Sequence, residues 1–358
     1  MTRGLLYLGS DLERLYQMED GHLHETSPDR RIDRLVVVAD FVEESLVRVT
    51  LPRLHGRDLA ALLQRRLEQE FRETPYRAAC RLGPSRENPK QVDYIFVGLP
   101  IARRLDQRLR PLADDGVALG GLYSVSMLAA RLLREAGDQA ATRLVLLPTP
   151  AGVRFILVQH GQAVLSRLAT DIDLENEDAA RVLAEELDRT VQYIYNARLV
   201  ERGQAIDFSL WGDAPAVHAL AGRTLTGLKP SPVPGLAADS DPTRHGIAAL
   251  LRLALRSPPD EQLAPPVLRR FHALALLRKW VLRTGVAAFV VLALVAGHFW
   301  FEGRDLRAES AQLQSRRATI EAETQALRDR LAALRVDPRT RPPRRSGPIG
   351  STSSTCPP

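Results

Sequence analysis

The residues able to do chemistry are present in this chain, but their spacing does not assemble them. Eight histidines, at positions 22, 24, 55, 160, 218, 245, 272 and 298, are scattered through loop-like or amphipathic surroundings. His22 and His24 alternate along a strand beside Gly21 and read as surface decoration rather than a metal site. The acidic pairs Glu43–Glu44, Asp114–Asp115 and Glu185–Glu186 are most simply solvated faces or turns. Two cysteines, Cys80 and Cys356, form no CxxC and no Cys/His cluster with metal spacing, so no metal is expected. No Ser-His-Asp pattern, lysine-based phosphate loop or dinucleotide fingerprint is present. These absences lead us to expect a protein that is not an enzyme and carries no cofactor.

What must be positioned, then, is a surface rather than a catalyst, and the dominant element is the uncharged run Thr284–Phe301, TGVAAFVVLALVAGHFWF. Eighteen helical residues rise about 27 Å, close to the hydrocarbon thickness of a bilayer. Arg278, Lys279, Trp280 and Arg283 precede the run, and Trp300 and Phe301 close it, the arrangement that the two membrane interfaces favour. Gly285, Ala287, Ala288, Ala293, Ala296 and Gly297 are small enough to let another helix approach. The competing reading is a buried helix of a soluble core. The flank 265–283 carries five cations and no acid, against four arginines over 302–320. The opening MTRGLLYLGSDLERLYQMEDG has too short an apolar stretch for a signal peptide. A single-pass helix with a cytoplasmic N-terminus and a periplasmic C-terminus is therefore expected.

A hydrophobic content of 45% supports real cores, and the net charge of +6 comes substantially from the membrane flank and the tail rather than from a nucleic-acid surface. The first 256 residues read as alternating strands and helices. Residues 4–8 and 12–16 form a hairpin around Gly9–Ser10–Asp11. Strands are expected at 35–38, 45–51, 92–99, 143–147, 153–158, 163–168 and 208–211. Helical spacing marks 57–71, 101–113, 124–134, 175–197, 215–221 and 247–255. The Pro-containing stretch 257–266 reads as a linker.

A hairpin-rich sheet followed by helices, given twice, is the plan of a duplicated RNase H-like, actin-like α/β fold. The stretches LLYLGSDLERLYQMEDGHL, VRVTLPRLHGRDLAALLQRRLEQEFRETPYRAA, DYIFVGLPIARRLDQRLRPLADDGVAL, LVLLPTPAGVRFILVQHGQAVLSR, AARVLAEELDRTVQYIY and FSLWGDAP follow the order of the actin-like PilM/GspL family. The chain resembles that family over about residues 4–255, by order and pattern. The resemblance implies an inner-membrane component of a type IV pilus or type II secretion machine. It also implies PilN/PilO- or GspM-like bitopic partners and a hexameric assembly ATPase on the cytoplasmic side.

Actin-like ATPases hold Mg-ATP with an Asp-x-Gly hairpin in each half and a Gly-Gly loop near the adenosine. Backbone N–H groups meet the phosphates there, and a carboxylate organises the metal. Here the first hairpin reads Leu8–Gly9–Ser10–Asp11. The second reads Pro148–Thr149–Pro150–Ala151–Gly152, with no carboxylate and two prolines that donate no N–H. The third reads Trp211–Gly212–Asp213. Gly9, Asp11 and Gly212 are vestiges of a nucleotide site or plain turn residues, and ATP is not expected.

Beyond the span, Leu306, Leu313, Ile320, Leu327 and Leu334 recur every seven residues, with Ser310, Arg317, Thr324 and Leu331 in the companion position. This half-polar seam fits a periplasmic coiled-coil helix, either a homodimer or a pairing with a chosen partner. The Pro-rich tail cannot build a core. The expected organisation is an actin-like cytoplasmic domain (1–256), a basic juxtamembrane linker (257–283), a transmembrane helix (284–301), a coiled-coil helix (302–335) and a disordered tail (336–358). The function expected is a non-catalytic inner-membrane scaffold. Its rivals are a nucleotide-switched ATPase of the same machinery and a bitopic signalling protein.

Overall fold

The computed structural model describes residues 3–19, 22–26, 32, 34–85, 87–138, 142–176, 178–221, 227–233 and 245–333, without the side chains of 270–280, 282–283, 287, 299–310 and 332–333. The chain divides into two units, Met1–Lys279 and Trp280–Pro358.

The first unit begins with β1 (Arg3–Gly9), which turns back through residues 10–12 into β2 (Glu13–Glu19) and then β3 (His22–Glu25). Next, β4 (Arg34–Asp40) lies parallel to β1 on its other side, with Gly9 paired to Asp40. Leu5–Leu8 and Leu35–Ala39 are buried without interruption, as central strands covered on both faces require. An insertion follows: β5 (Ser45–Pro52), α1 (Gly56–Glu70), β6 (Arg77–Pro84) and β7 (Gln91–Gly98), whose strands form a small sheet in the order β5-β7-β6. Leu59, Leu62, Leu63 and Leu67 of α1 pack on Leu51, Phe71, Val92, Tyr94 and Phe96. Then α2 (Ala102–Asp114) leads to β8 (Ala118–Ser124), which completes a five-stranded sheet in the order β3-β2-β1-β4-β8.

The helix α3 (Val125–Glu135) is capped by Ser124, whose Oγ accepts the Met127 N–H at 3.3 Å. After it the first pattern repeats. The strands β9 (Thr142–Thr149), β10 (Gly152–Gln159) and β11 (Gln162–Ala169) form an antiparallel meander. Two parallel strands follow, with α4 (Ala179–Asn196) before β12 (Ile206–Leu210) and α5 (Pro215–Ala221) before β13 (Leu228–Pro230). The order β11-β10-β9-β12-β13 matches the first sheet strand for strand. This repeated order, with three antiparallel strands and then two parallel ones, is the duplicated plan of the actin-like fold. The last helix of this half, α6 (Ile247–Arg256), lies with α3 between the sheets. One buried cluster joins Tyr7 and Val38, Val145 and Ile156, Leu128 and Leu250.

Three features depart from the expectation from sequence. The strand β6 carries little apolar signal beyond Ala78, Cys80 and Leu82, and β8 contains Gly120–Gly121, which disfavour a strand reading. Each glycine of β8 lies under a large side chain: a Cβ at Gly120 would sit 2.9 Å from Arg34 Nε, and one at Gly121 would overlap the Tyr123 ring. The stretch expected as a linker is packed. Leu263, Ala264 and Leu268 are buried with Leu105, Leu109 and Leu122, and the Leu263 N–H donates to the Leu122 carbonyl at 2.8 Å. Prolines there end regular structure without preventing burial, and residues 266–269 form one 3-10 turn.

The helix α7 (Arg270–Ala333) contains 64 residues, a length of about 96 Å. Among the described residues, no helix is long and apolar enough to cross a membrane. The run expected to span lies within α7, and its side chains at 287 and 299–301 are outside the described set, as are those of the anchors Arg278, Lys279, Trp280, Arg283 and Trp300. Its described members Phe289, Val290, Val291 and Leu292 are all exposed, although four successive helical residues point all round the axis. Of the heptad positions, Leu313, Ile320, Leu327 and Leu331 are exposed, whereas the Leu306 side chain and Leu334 lie outside the described residues.

Candidate functional site

In an actin-like fold the strands β1 and β4 end at the edge that faces the second half, and this edge holds the most charged part of the interior. Asp40, the last residue of β4, is fully buried, and Arg154 of β10 is 1% exposed. Arg154 Nε donates to Asp40 Oδ1 at 2.5 Å, and Nη1 donates to Glu44 Oε2 at 2.9 Å and to Ser166 Oγ at 2.6 Å. Nη2 donates to the Phe41 carbonyl at 2.8 Å. The Tyr7 hydroxyl donates to the second Asp40 oxygen. On the other side, Ser126 Oγ donates to Glu44 Oε1 at 2.6 Å. The cluster thus ties β1, β4, the turn after it and α3 to β10 and β11 of the second half.

Its electrostatics follow from burial and pairing. Burial alone would lower the Arg154 pKa, but Asp40 and Glu44 outweigh it and hold the guanidinium charged. Burial, and then the Asp40 carboxylate, raise Tyr7 far above the ordinary phenol range, so it remains a neutral donor. Each of the four carboxylate oxygens of Asp40 and Glu44 accepts a hydrogen bond from Arg154, Tyr7 or Ser126. Among the described residues, no group of three or more His, Cys, Asp or Glu is placed to hold a metal ion.

The three segments expected at a nucleotide site do meet here, but they meet each other. A Cβ on Gly9 would lie 3.4 Å from the Ala151 Cβ, so the first hairpin touches the second. The Gly9 N–H donates to the Leu12 carbonyl at 2.8 Å, and the Ala151 N–H to Thr149 Oγ1 at 3.3 Å. Gly212, at φ +92°, packs against the Pro148 ring, where a Cβ would stand 3.4 Å from it. The neighbouring Asp213 pairs with His218 at 2.5 Å. The Gly9 and Ala151 N–H groups are thus engaged within their own turns, and Arg154 occupies the Asp40 and Glu44 carboxylates. The Asp40–Glu44–Arg154 cluster does not fit a metal-bound triphosphate, since its carboxylates are paired with a guanidinium.

Asp11 is exposed and, with Gly9 and Ser10 of the same hairpin, lines a groove of about 580 Å³ together with Phe41, Arg104 and Arg108. Arg104 lies over the Phe41 ring at 6.0 Å, and Arg108 pairs with Glu13 at 3.5 Å. Reading the sequence for nucleotide loops missed Tyr7, Asp40, Glu44, Ser126 and Arg154. A signal was present: Arg154 interrupts the apolar strand GVRFILV, and a charge inside such a run needs a buried partner.

No protein-family model and no curated protein matches the chain. Solved structures with related backbones include a PilM–PilN type IV pilus biogenesis complex, 14% identical, TM-score 0.46, covering 72% of this chain and 98% of that one. The cytoplasmic domain of EpsL, an inner-membrane component of the type II secretion system of Vibrio cholerae, is 14% identical, TM-score 0.42, covering 75% and 100%. A Bacteroides thetaiotaomicron protein with an actin-like ATPase fold is 9% identical, TM-score 0.33, covering 62% and 85%.

Proposed function

We propose that this chain is a non-catalytic assembly platform of a type IV pilus or type II secretion machine in the bacterial inner membrane. The observation that carries the reading is the closed edge between the two halves. Gly9 meets Ala151 and Arg154 binds Asp40 and Glu44, in the place where an actin-like ATPase opens to nucleotide. The actin-like unit serves as a docking body held in one conformation. The apolar run of α7 anchors it in the bilayer, with the N-terminus cytoplasmic, and the heptad segment beyond engages PilN/PilO- or GspM-like helices or a second copy. A cytoplasmic assembly ATPase supplies the energy. Support for the machinery comes from the order of the sequence stretches, and support for the anchor from apolar side chains exposed on every side of one helix.

Calorimetric titration of the full chain with Mg-ATP and Mg-ADP tests the central claim. A flat titration of folded protein is expected. Submillimolar binding that is lost on Gly9→Val would overturn the platform reading in favour of a nucleotide-switched one.

A further inference from the structure

At the opposite end of the first sheet, three arginines converge from three segments. Arg3 opens β1 and Arg34 opens β4, and the two are register partners on adjacent parallel strands, about 4.8 Å apart along the sheet. The Arg34 side chain runs across β8 at Gly120, the residue whose missing Cβ leaves room for it. Arg269 ends the 3-10 turn, which is pinned by the buried Leu268. Nε of Arg34 and Nε of Arg269 are both buried with no hydrogen-bond partner. Among the described residues, no carboxylate pairs with any of the three arginines. Burial, then Arg3, and further Arg269 lower the Arg34 pKa, with only Tyr123 opposing. Tyr123 is buried beside them, with Asp260 as the acid acting on it.

Like charges side by side on neighbouring strands oppose folding, and buried donors without acceptors add to that cost. A tetrahedral oxyanion relieves both terms at once, because guanidinium groups bind phosphate through paired N–H donors. We propose that Arg3, Arg34 and Arg269 form a binding site for a phosphate group, supplied by an anionic lipid headgroup or by free phosphate. The site is separate from the closed edge and does not depend on it. Only the lipid source rests on the membrane reading, through Arg269, which directly precedes α7.

The test uses the full chain in neutral detergent, titrated calorimetrically with inorganic phosphate, short-chain phosphatidylglycerol and short-chain phosphatidylcholine. Saturable binding of phosphate or phosphatidylglycerol is expected, weakened at least about tenfold in Arg34→Gln and in Arg269→Gln. Arg181→Gln, which removes an exposed arginine of α4, should bind as the parent does. Binding of phosphatidylglycerol alone assigns the headgroup, and binding of phosphate assigns the free ion as sufficient. Thermal unfolding verifies that each variant is folded, and two variants on different segments guard against one failing to fold. Absence of saturable binding, or equal affinity in Arg34→Gln, Arg269→Gln and Arg181→Gln, overturns the proposal. Repeating the Mg-ATP titration with Arg34→Gln separates heat arising here from heat arising at Gly9, so the two readings fail independently.

Discussion

Arg154 makes four hydrogen bonds inside the protein, two of them to carboxylates more than a hundred positions away in sequence. Removing it strands Asp40 and Glu44 in the interior, which typically costs about 3–5 kcal/mol. Arg154→Met should therefore unfold at markedly lower urea concentration. The triple variant Arg154→Met/Asp40→Asn/Glu44→Gln should recover part of that loss, because no charge is left unpaired. Asp93 behaves differently because its partner Arg48 is exposed although Asp93 itself is buried. It pairs with Arg48 at 2.5 Å and accepts from Thr50 Oγ1 at 2.7 Å. Burial raises its pKa, but the Arg48 and Thr50 hydrogen bonds outweigh burial and leave it below the ordinary aspartate range. A depressed folded pKa contributes stability that is complete above the unfolded value, about 3.9, and is lost as pH falls through the folded one. Asp93→Asn should accordingly be less stable at pH 7, and should lose less further stability on acidification than the parent, as read by urea unfolding at pH 7 and pH 3.

At the scale of elements, the β9–β10 hairpin shows how a short turn governs the fold. Its sequence, Pro148–Thr149–Pro150–Ala151–Gly152, includes two prolines that donate no N–H, yet its geometry is tightly specified. Gly152 adopts φ +140°, and a Cβ there would lie 2.3 Å from the Ala169 carbonyl oxygen. Gly152→Ala must therefore move β11 or distort the turn, a loss of at least about 2 kcal/mol, measurable as a lower urea midpoint. The hairpins themselves were legible from alternation and from Gly9 and Gly161. The strand β8 was not, since its two glycines make sense only once Arg34 and Tyr123 are seen to lie across them. The Pro-containing stretch after α6 was likewise opaque, because its burial depends on β8 and α2, which are remote in sequence.

At the scale of the whole molecule, the proposed platform needs a membrane anchor as well as a docking body. Each cation placed at the centre of a spanning helix costs about 2.5–3.5 kcal/mol on insertion scales. Val290→Lys/Leu294→Lys should shift the chain from the membrane pellet to the supernatant on fractionation, with the folding of the actin-like unit unchanged by circular dichroism. A chain that pellets equally well with both lysines would sink the anchor.

The sequence by itself determined the elements that rest on local pattern: the paired hairpins, the amphipathic helices, the apolar run of α7 and the heptad beyond it. Periodicity and turn chemistry act over a few residues, so a linear reading captures them. Only the tertiary structure decided what the glycine-containing turns pack against. Gly9 meets Ala151, and Gly212 meets Pro148, across separations that no local pattern encodes. The same holds for Arg154, Asp40 and Glu44, and for Arg3, Arg34 and Arg269. Burial makes the pairing of a charge compulsory, whereas the choice of partner depends on which strands the fold brings together.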